Sequence, residues 1–173
     1  MGTALAATAL DPLNFDHLVA RHQSMVFSIA YHVLQDRAAA EELAQDVFLQ
    51  LYRHLDSLQS ADHVTFWLRR VTSHRCIDHQ RRRRFPLLSI DRIAEPAAPS
   101  SPADPLLARR LRALVHELPA HARIAIVLRY QEDLTPEEIA RVLDRPVATV
   151  KSQLQRALKT LRARVLRVVG DRT

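Results

Sequence analysis

Residues 134–164, LTPEEIARVLDRPVATVKSQLQRALKTLRAR, decide how the C-terminal part of this chain folds. Thr135 stands at a helix cap, Pro136 at the first helical position and Glu138 three residues after the cap, which is the pattern of a capping box. The apolar stripe that follows is interrupted at 144–146 by Asp-Arg-Pro, which is typical of a tight turn. A second apolar series at helical spacing comes next. The stretch therefore predicts a helix, a tight turn and a second helix.

The outer face of the second predicted helix is polar and basic. A helix-turn-helix places its second helix in the major groove of DNA, where such side chains bind phosphates and base edges. An ordinary helical hairpin with a solvated charged face has the same periodicity, so this pattern alone leaves both interpretations open. The candidate DNA-binding residues on this face are Thr149, Lys151, Ser152, Gln155, Arg156 and Lys159.

The composition favours an all-helical protein with a polyanionic partner. The chain has 173 residues, of which 47% are hydrophobic, so it can form one domain or two small ones with real cores. It has only two glycines, which favours helices over hairpins and excludes glycine-rich phosphate loops. The formal charge of +6 is typical of proteins that bind nucleic acids, although charge alone does not establish such a partner.

The charges are distributed unevenly along the chain. Residues 65–85 carry a net charge of +6 and residues 145–173 a net charge of +7, whereas residues 36–62 carry −4. Two basic regions on either side of an acidic one predict two different kinds of partner surface.

The sequence contains few signals for a cellular compartment or for membrane insertion. Cys76 is the only cysteine, so the chain cannot form an internal disulfide, which suits a reducing compartment. The first ten residues lack the basic segment of a signal peptide, and no apolar run approaches the length of a membrane span. We therefore expect a protein of the cytoplasm with no membrane insertion of its own.

Helical periodicity runs through most of the chain. Asp36 is placed to cap the second of the predicted helices, and residues 56–63 are polar enough to form a loop. Residues 86–105 hold five of the nine prolines among alanine and serine, which is typical of a linker. The predicted helices before the final pair are 15–33, 37–55, 65–84, 106–117 and 120–131.

This pattern predicts an all-α chain with two small helical domains, 13–85 and 106–170, joined by the proline-rich linker. Because the linker has no apolar periodicity, we expect it not to fold alone. The two domains of the free protein should then move semi-independently unless an inhibitor holds them together.

No catalytic or metal constellation emerges from the sequence, and no cofactor is expected. His74, Cys76 and His79 point in divergent directions on a helix, and no second cluster completes a zinc site. The acids Glu41, Glu42 and Asp46 lie near a helix start, where they favour a protein-docking face over acid–base catalysis.

The third predicted helix carries aromatic and basic residues with two interpretations each. Trp67 lies at an apolar position and is assigned to the core. For Phe66 both interpretations, a core residue and a residue that stacks on a base, stay open. The arginines 81–84 end this helix, where cations are favoured in any case. Because this helix is strongly positive, DNA contact is the favoured interpretation of arginines 81–84.

Several of these segments together resemble the extracytoplasmic-function (ECF) sigma factors of bacterial RNA polymerase. The segments AEELAQDVFLQLYRHL (40–55), FWLRRV (66–71) and RRRR (81–84) resemble sigma region 2. The segments that resemble region 4 are LPAHARIAIVLRY (118–130), TPEEIA (135–140) and VATVKS (147–152).

The resemblance implies a promoter-specificity subunit with no catalytic activity. It implies core RNA polymerase as partner, through the β′ clamp helices and the β flap, together with promoter DNA and an anti-sigma factor. The acidic helix would bind polymerase through Glu42, Gln45, Asp46 and Gln50.

The following loop and helix would open and read the minus-ten element, and the last helix would read the minus-thirty-five element through the six residues named above. The residues implied at the minus-ten element are Leu58, His63, Arg70, His74, Arg75 and Asp78.

Two other classes of function stay open on the sequence. The first is a two-domain regulator whose helix-turn-helix binds duplex DNA without polymerase. The second is a helical protein-interaction module whose basic faces are merely solvated. Retention on core polymerase separates a sigma factor from the first, and loss of all DNA affinity in low salt would favour the second.

Overall fold

The computed structural model describes residues 14–84 and 105–170, and every regular element within these ranges is helical. The helices fall into two consecutive groups, three before the predicted linker and four after it. A single 3₁₀ turn, Leu55–Ser57, follows the second helix. The helices are α1 (Phe15–Leu34), α2 (Arg37–His54), α3 (Ala61–Arg84), α4 (Pro105–His116), α5 (Ala120–Tyr130), α6 (Pro136–Leu143) and α7 (Val147–Gly170).

Side-chain caps define the ends of α1 and α2. The Asn14 side chain accepts the N–H groups of the first turn of α1, and the Asp36 carboxylate accepts the N–H of Ala39 at 3.0 Å. The prediction that Asp36 caps the second helix is therefore confirmed. Between these two helices Gln35 takes the left-handed conformation, with φ of 55°, which ends α1 and lets the chain reverse.

The start of α3 differs from the sequence prediction. The predicted loop through residue 63 is shorter, because α3 begins at Ala61 and not at Thr65. The Ser60 hydroxyl accepts the N–H of His63 at 3.2 Å, and the Ser60 carbonyl accepts the N–H of Val64. A serine cap thus extends the helix by one turn into a stretch that is polar in sequence.

Each group of helices buries an apolar face. In the first group α1 packs against both α2 and α3, and in the second α7 packs against α4, α5 and α6. The fully buried residues include Ile29 and Leu68 in the first group and Ile124 and Leu128 in the second. The predicted helices 106–117 and 120–131 agree with α4 and α5 to within one residue at each end.

The two groups also pack against each other, through α1 with α5 and α3 with α6. The buried guanidinium of Arg123 in α5 donates to the carbonyl of Val33, near the end of α1, at 2.8 Å. It donates as well to the carbonyls of His116 and Leu118 in the α4–α5 connection. The two groups are thus in contact in this structure, while the expected semi-independent movement of the two domains stays a prediction. The predicted linker, 86–105, lies outside the described residues except for Pro105.

Candidate nucleic-acid interface

Local hydrogen bonds hold α6 and the turn that follows it. The Thr135 hydroxyl accepts the N–H of Glu138 at 3.2 Å, and the Glu138 carboxylate accepts the N–H of Thr135 at 2.7 Å, so the predicted capping box is present. At the end of α6, Asp144 adopts the left-handed conformation with φ of 54°. The N–H groups of Asp144 and Arg145 both donate to the carbonyl of Ala140. The predicted helix, tight turn and helix are confirmed.

The six predicted donors on α7 form one face, which we call the recognition face. On the opposite side of the helix, Val150, Leu154 and Ala157 are buried against the core. Within the recognition face, Thr149 and Ser152 are partly exposed and the other four side chains are exposed. Its members are Thr149, Lys151, Ser152, Gln155, Arg156 and Lys159.

Several members of the recognition face are tied to neighbours in the free chain. The Ser152 hydroxyl donates to the carbonyl of Thr149 at 2.9 Å, and Arg156 donates to the Ser152 carbonyl and hydroxyl at 3.2 and 3.3 Å. The Lys151 ammonium lies 2.9 Å from the Glu137 carboxylate in α6, and this hydrogen bond holds the pKa of Glu137 below its usual value. The Glu137 contact was not predicted, because its partner Lys151 lies fourteen residues away on another helix.

Seven of the ten residues predicted for polymerase and for the minus-ten element meet between α2 and α3. They line an open cavity of about 650 Å³, which we call the α2–α3 groove. Its predicted α2 residues, Glu42, Asp46 and Gln50, are spaced four residues apart and so lie on one helical face. Trp67 and His79 also line it. The predicted site residues in the groove are Glu42, Asp46, Gln50, Arg70, His74, Arg75 and Asp78.

Arg75 connects the two walls of this groove. Its guanidinium donates to the Asp46 carboxylate at 3.0 Å and twice to the Gln50 side-chain oxygen, at 3.1 and 3.2 Å. The guanidinium is planar and has several donors, so it holds both acceptors in a fixed arrangement. One residue predicted for DNA and two predicted for polymerase therefore belong to a single hydrogen-bonded network.

Three predicted residues lie outside the α2–α3 groove. Leu58 is only 4% exposed and packs in the core, and its minus-ten contact stays a prediction. His63 is exposed on the first turn of α3. Gln45 is adjacent to Asp46 but lies towards α1, where it lines a second cavity of about 780 Å³. We call that cavity the α1–α2 groove; it is largely apolar and includes Phe15 and Phe48.

The remaining aromatic and basic residues of α3 have defined environments. Phe66 and Trp67 are half-buried and pack against the core, and Trp67 also faces the α2–α3 groove. Arg81 and Arg82 are exposed near the end of the helix, and Arg82 lines the same groove. Arg70 forms an ion pair of 3.6 Å with Asp144 in the turn after α6.

The groups considered for metal binding are not arranged as a metal site. Cys76 is fully buried, and burial raises the pKa of its thiol to about 12, which makes it an inert side chain of the core. Within residues 14–84 and 105–170, no three or more His, Cys, Asp or Glu side chains come together as metal ligands. Over the same part of the chain, no helix is both long and apolar enough to cross a membrane.

Comparison with protein families matches both groups of helices. Residues 18–85 match the model of Sigma-70 region 2, and residues 108–161 match that of Sigma-70, region 4. The ECF RNA polymerase sigma factor SigE of Mycolicibacterium smegmatis is 33% identical over 158 residues, which are 86% of this chain and 60% of the relative. The ECF RNA polymerase sigma-E factor of Escherichia coli K12 is 30% identical over 165 residues, which are 87% of this chain and 86% of the relative.

Solved structures share the fold. The sigma factor RpoE of Bartonella quintana, in complex with the anti-sigma factor NepR, superposes with a TM-score of 0.71 at 19% identity, covering 86% of this chain and 94% of that one. CnrH, in complex with the cytosolic domain of CnrY, gives 0.65 at 24% identity and covers 87% of this chain and 86% of that one.

The two alternative functions are not favoured by these findings. A regulator that acts without polymerase would need only the helix-turn-helix, whereas this chain matches region 2 as well, and in the expected order. A pure protein-interaction module would not need the recognition face of α7. The chain therefore belongs to the ECF sigma factors, the promoter-specificity subunits that bind core RNA polymerase and direct initiation at promoter DNA without catalytic activity of their own.

Proposed function

We propose that α2 is the main docking helix for core polymerase and that α3 and α7 read the two promoter elements. The observation that carries this proposal is the α2–α3 groove, because it joins the acidic docking residues to the basic DNA residues in one network through Arg75. Promoter opening and polymerase binding would then be coupled at a single surface.

The polymerase contact is assigned to the exposed side of α2. Glu42, Gln45 and Asp46 are exposed there, and Gln50 is partly exposed. Leu49 and Tyr52 lie on the same helix and are also exposed, at 57% and 66%. Exposed apolar side chains next to carboxylates are typical of a protein-binding surface, with the charges steering the encounter. The partner would be the clamp helices of the β′ subunit.

The minus-ten contact is assigned to α3. Arg70, His74 and Asp78 follow one side of this helix at spacings of four residues, Arg75 is adjacent to His74, and all four line the groove. The arginines supply charge for phosphates, whereas His74 and Asp78 offer hydrogen bonds to an unstacked base. His63 at the start of α3 would contact the same strand.

The minus-thirty-five contact is assigned to the recognition face of α7. The helix-turn-helix carries this face on a buried spine, so all six side chains can enter the major groove without loss of packing. Arg156 and Gln155 are suited to base edges and Lys159 to a phosphate. The β flap would contact another side of the same group of helices.

An anti-sigma factor is a further proposed partner. The α1–α2 groove is apolar and open to solvent, and Leu49 lies at its edge. An exposed apolar surface of this kind is typical of a protein-binding site. The structure of RpoE in complex with the anti-sigma factor NepR supports a partner of this kind. We also propose that the chain acts in the cytoplasm, where it meets polymerase.

Charge reversal at Asp46 tests the docking assignment. We expect Asp46→Arg to weaken binding to core polymerase by roughly tenfold or more, because it removes the carboxylate and places a second cation beside Arg75. Binding is measured by titration of fluorescently labelled full-length chain with core polymerase, at two salt concentrations. Asp46→Asn should show a smaller loss.

The matched control is Asp56→Arg, since Asp56 is an exposed carboxylate in the turn after α2 and lines neither groove. This variant should bind as the wild-type chain does. Wild-type affinity in Asp46→Arg, with helicity intact by circular dichroism, would remove the α2–α3 groove from the docking surface.

A further inference from the structure

One residue of the recognition face is held by a residue outside it. The Lys151 ammonium, in the second turn of α7, lies 2.9 Å from a carboxylate oxygen of Glu137 in the first turn of α6. Ser152 and Arg156, by contrast, make the hydrogen bonds described above within α7. The ion pair therefore links the first helix of the helix-turn-helix to the recognition face of the second.

The start of α6 does not depend on the Glu137 carboxylate. The neighbouring Glu138 completes the capping box, because its carboxylate accepts the N–H and the hydroxyl of Thr135. An acid in the first turn also interacts favourably with the helix dipole, which is the purely structural role open to Glu137. Glu137 and Lys151 are both more than half exposed, and an exposed ion pair of this kind adds little to stability.

The ion pair changes what Lys151 can gain from DNA. A free lysine binds phosphate as a point charge, and each such contact adds to the salt dependence of binding. Beside a carboxylate the net charge of the pair is close to zero, so the gain from a phosphate is largely cancelled. The ammonium has three N–H donors, and those not given to Glu137 can still donate to acceptors on a base edge, such as guanine O6 and N7.

We propose that Glu137 is a positioning residue for sequence readout, which keeps Lys151 on a base edge in the major groove and away from the phosphates. Lys151 lies in the N-terminal part of α7, the part of a recognition helix that contacts base edges. The carboxylate of α6 thereby turns a flexible, sequence-independent cation into a donor with a fixed position. This role rests on the assignment of α7 to the minus-thirty-five element.

The test is binding of holoenzyme, assembled with the full-length chain, to upstream elements that differ from the cognate one at single base pairs. In Glu137→Gln the side chain keeps its size and loses its charge. We expect the preference at one base pair to fall by roughly fivefold or more, as for the loss of one base contact. Binding to a scrambled element should tighten, and its log–log salt dependence should steepen by about 0.9, the value for one more phosphate contact.

Two further variants separate positioning from stability. Glu137→Asp keeps the charge and should retain more of the base preference than Glu137→Gln does. Glu117→Gln removes the same charge from another exposed ion pair of α7, with Arg164, which lies thirteen residues after Lys151. This control should leave preference and salt dependence as in the parent chain. A role of Glu137 confined to the helix dipole would lower the thermal midpoint of unfolding and leave the base preference unchanged.

Lys151→Ala shows which assignment fails. It should lower the preference at the same base pair, and adding Glu137→Gln to it should change the preference no further. Loss of preference in Lys151→Ala with full preference in Glu137→Gln would overturn the positioning role and leave α7 on the promoter. No change in either variant would overturn Lys151 as a base contact, and the positioning role with it. The assignment of α7 itself is tested separately by Arg156→Ala.

Discussion

Replacing Arg156 with alanine is expected to weaken binding of the holoenzyme to its cognate promoter by about 1–3 kcal/mol, or roughly 5- to 150-fold. Arg156 is exposed on the recognition face and its guanidinium donates to Ser152 of the same helix, so loss of the side chain should not disturb folding. If the guanidinium reads a base, the loss should appear with the cognate upstream element, and preference should relax at one position. The measurement is equilibrium binding to cognate and scrambled upstream elements at several salt concentrations.

Lys159→Ala is the matched control, because Lys159 is an exposed cation that lies almost one helical turn after Arg156 on α7. A phosphate contact there should cost affinity nearly uniformly across sequences and make the salt dependence shallower. If Arg156→Ala behaves in the same way, Arg156 is a phosphate contact. If it leaves both affinity and preference untouched, the recognition face has been assigned to the wrong side of α7.

Replacing Leu68 with alanine is expected to lower the free energy of unfolding by about 2–5 kcal/mol. Leu68 is fully buried in α3, which packs against α1, α2, α5 and α6, so truncation leaves a cavity in the core. The loss should appear as a lower midpoint of urea unfolding followed by circular dichroism.

Leu49→Ala makes the same chemical change at a side chain that is 57% exposed, and it should shift the midpoint only slightly. Equal shifts in the two variants would contradict the packing described for α3. Leu49→Ala also serves as a probe of the proposed docking surface, because it should weaken polymerase binding while stability is kept.

Local patterns carried most of the fold. The capping box at Thr135 and the Asp36 cap involve residues three positions apart, and apolar spacing fixes which side of α7 is buried. Such interactions involve residues that are close together in the sequence and can therefore be recognised from short segments. They explain why the helix-turn-helix and most helix boundaries could be predicted to within one residue, the start of α3 being the exception.

Contacts between distant segments of the chain could not be predicted from the sequence. Arg123 looks like any surface arginine of a helix, yet it is buried and bonded to the carbonyl of Val33, ninety residues away. The pairs of Arg69 with Glu132 and of Arg75 with Asp46 are equally non-local. The burial of Leu58 was not predicted either, because a leucine in a polar stretch gives no sign of which way it faces. The packing of the two helix groups follows from these contacts, and no periodicity indicates it.

The central claim is that this chain directs polymerase to promoters, and reconstituted transcription tests it most directly. Core bacterial polymerase is mixed with the full-length chain and a library of genomic fragments, and the 5′ ends of the transcripts are mapped. The account predicts starts at a small set of fragments that share two upstream elements, with loss of these starts in Asp46→Arg. Starts that are the same with and without the chain would contradict it.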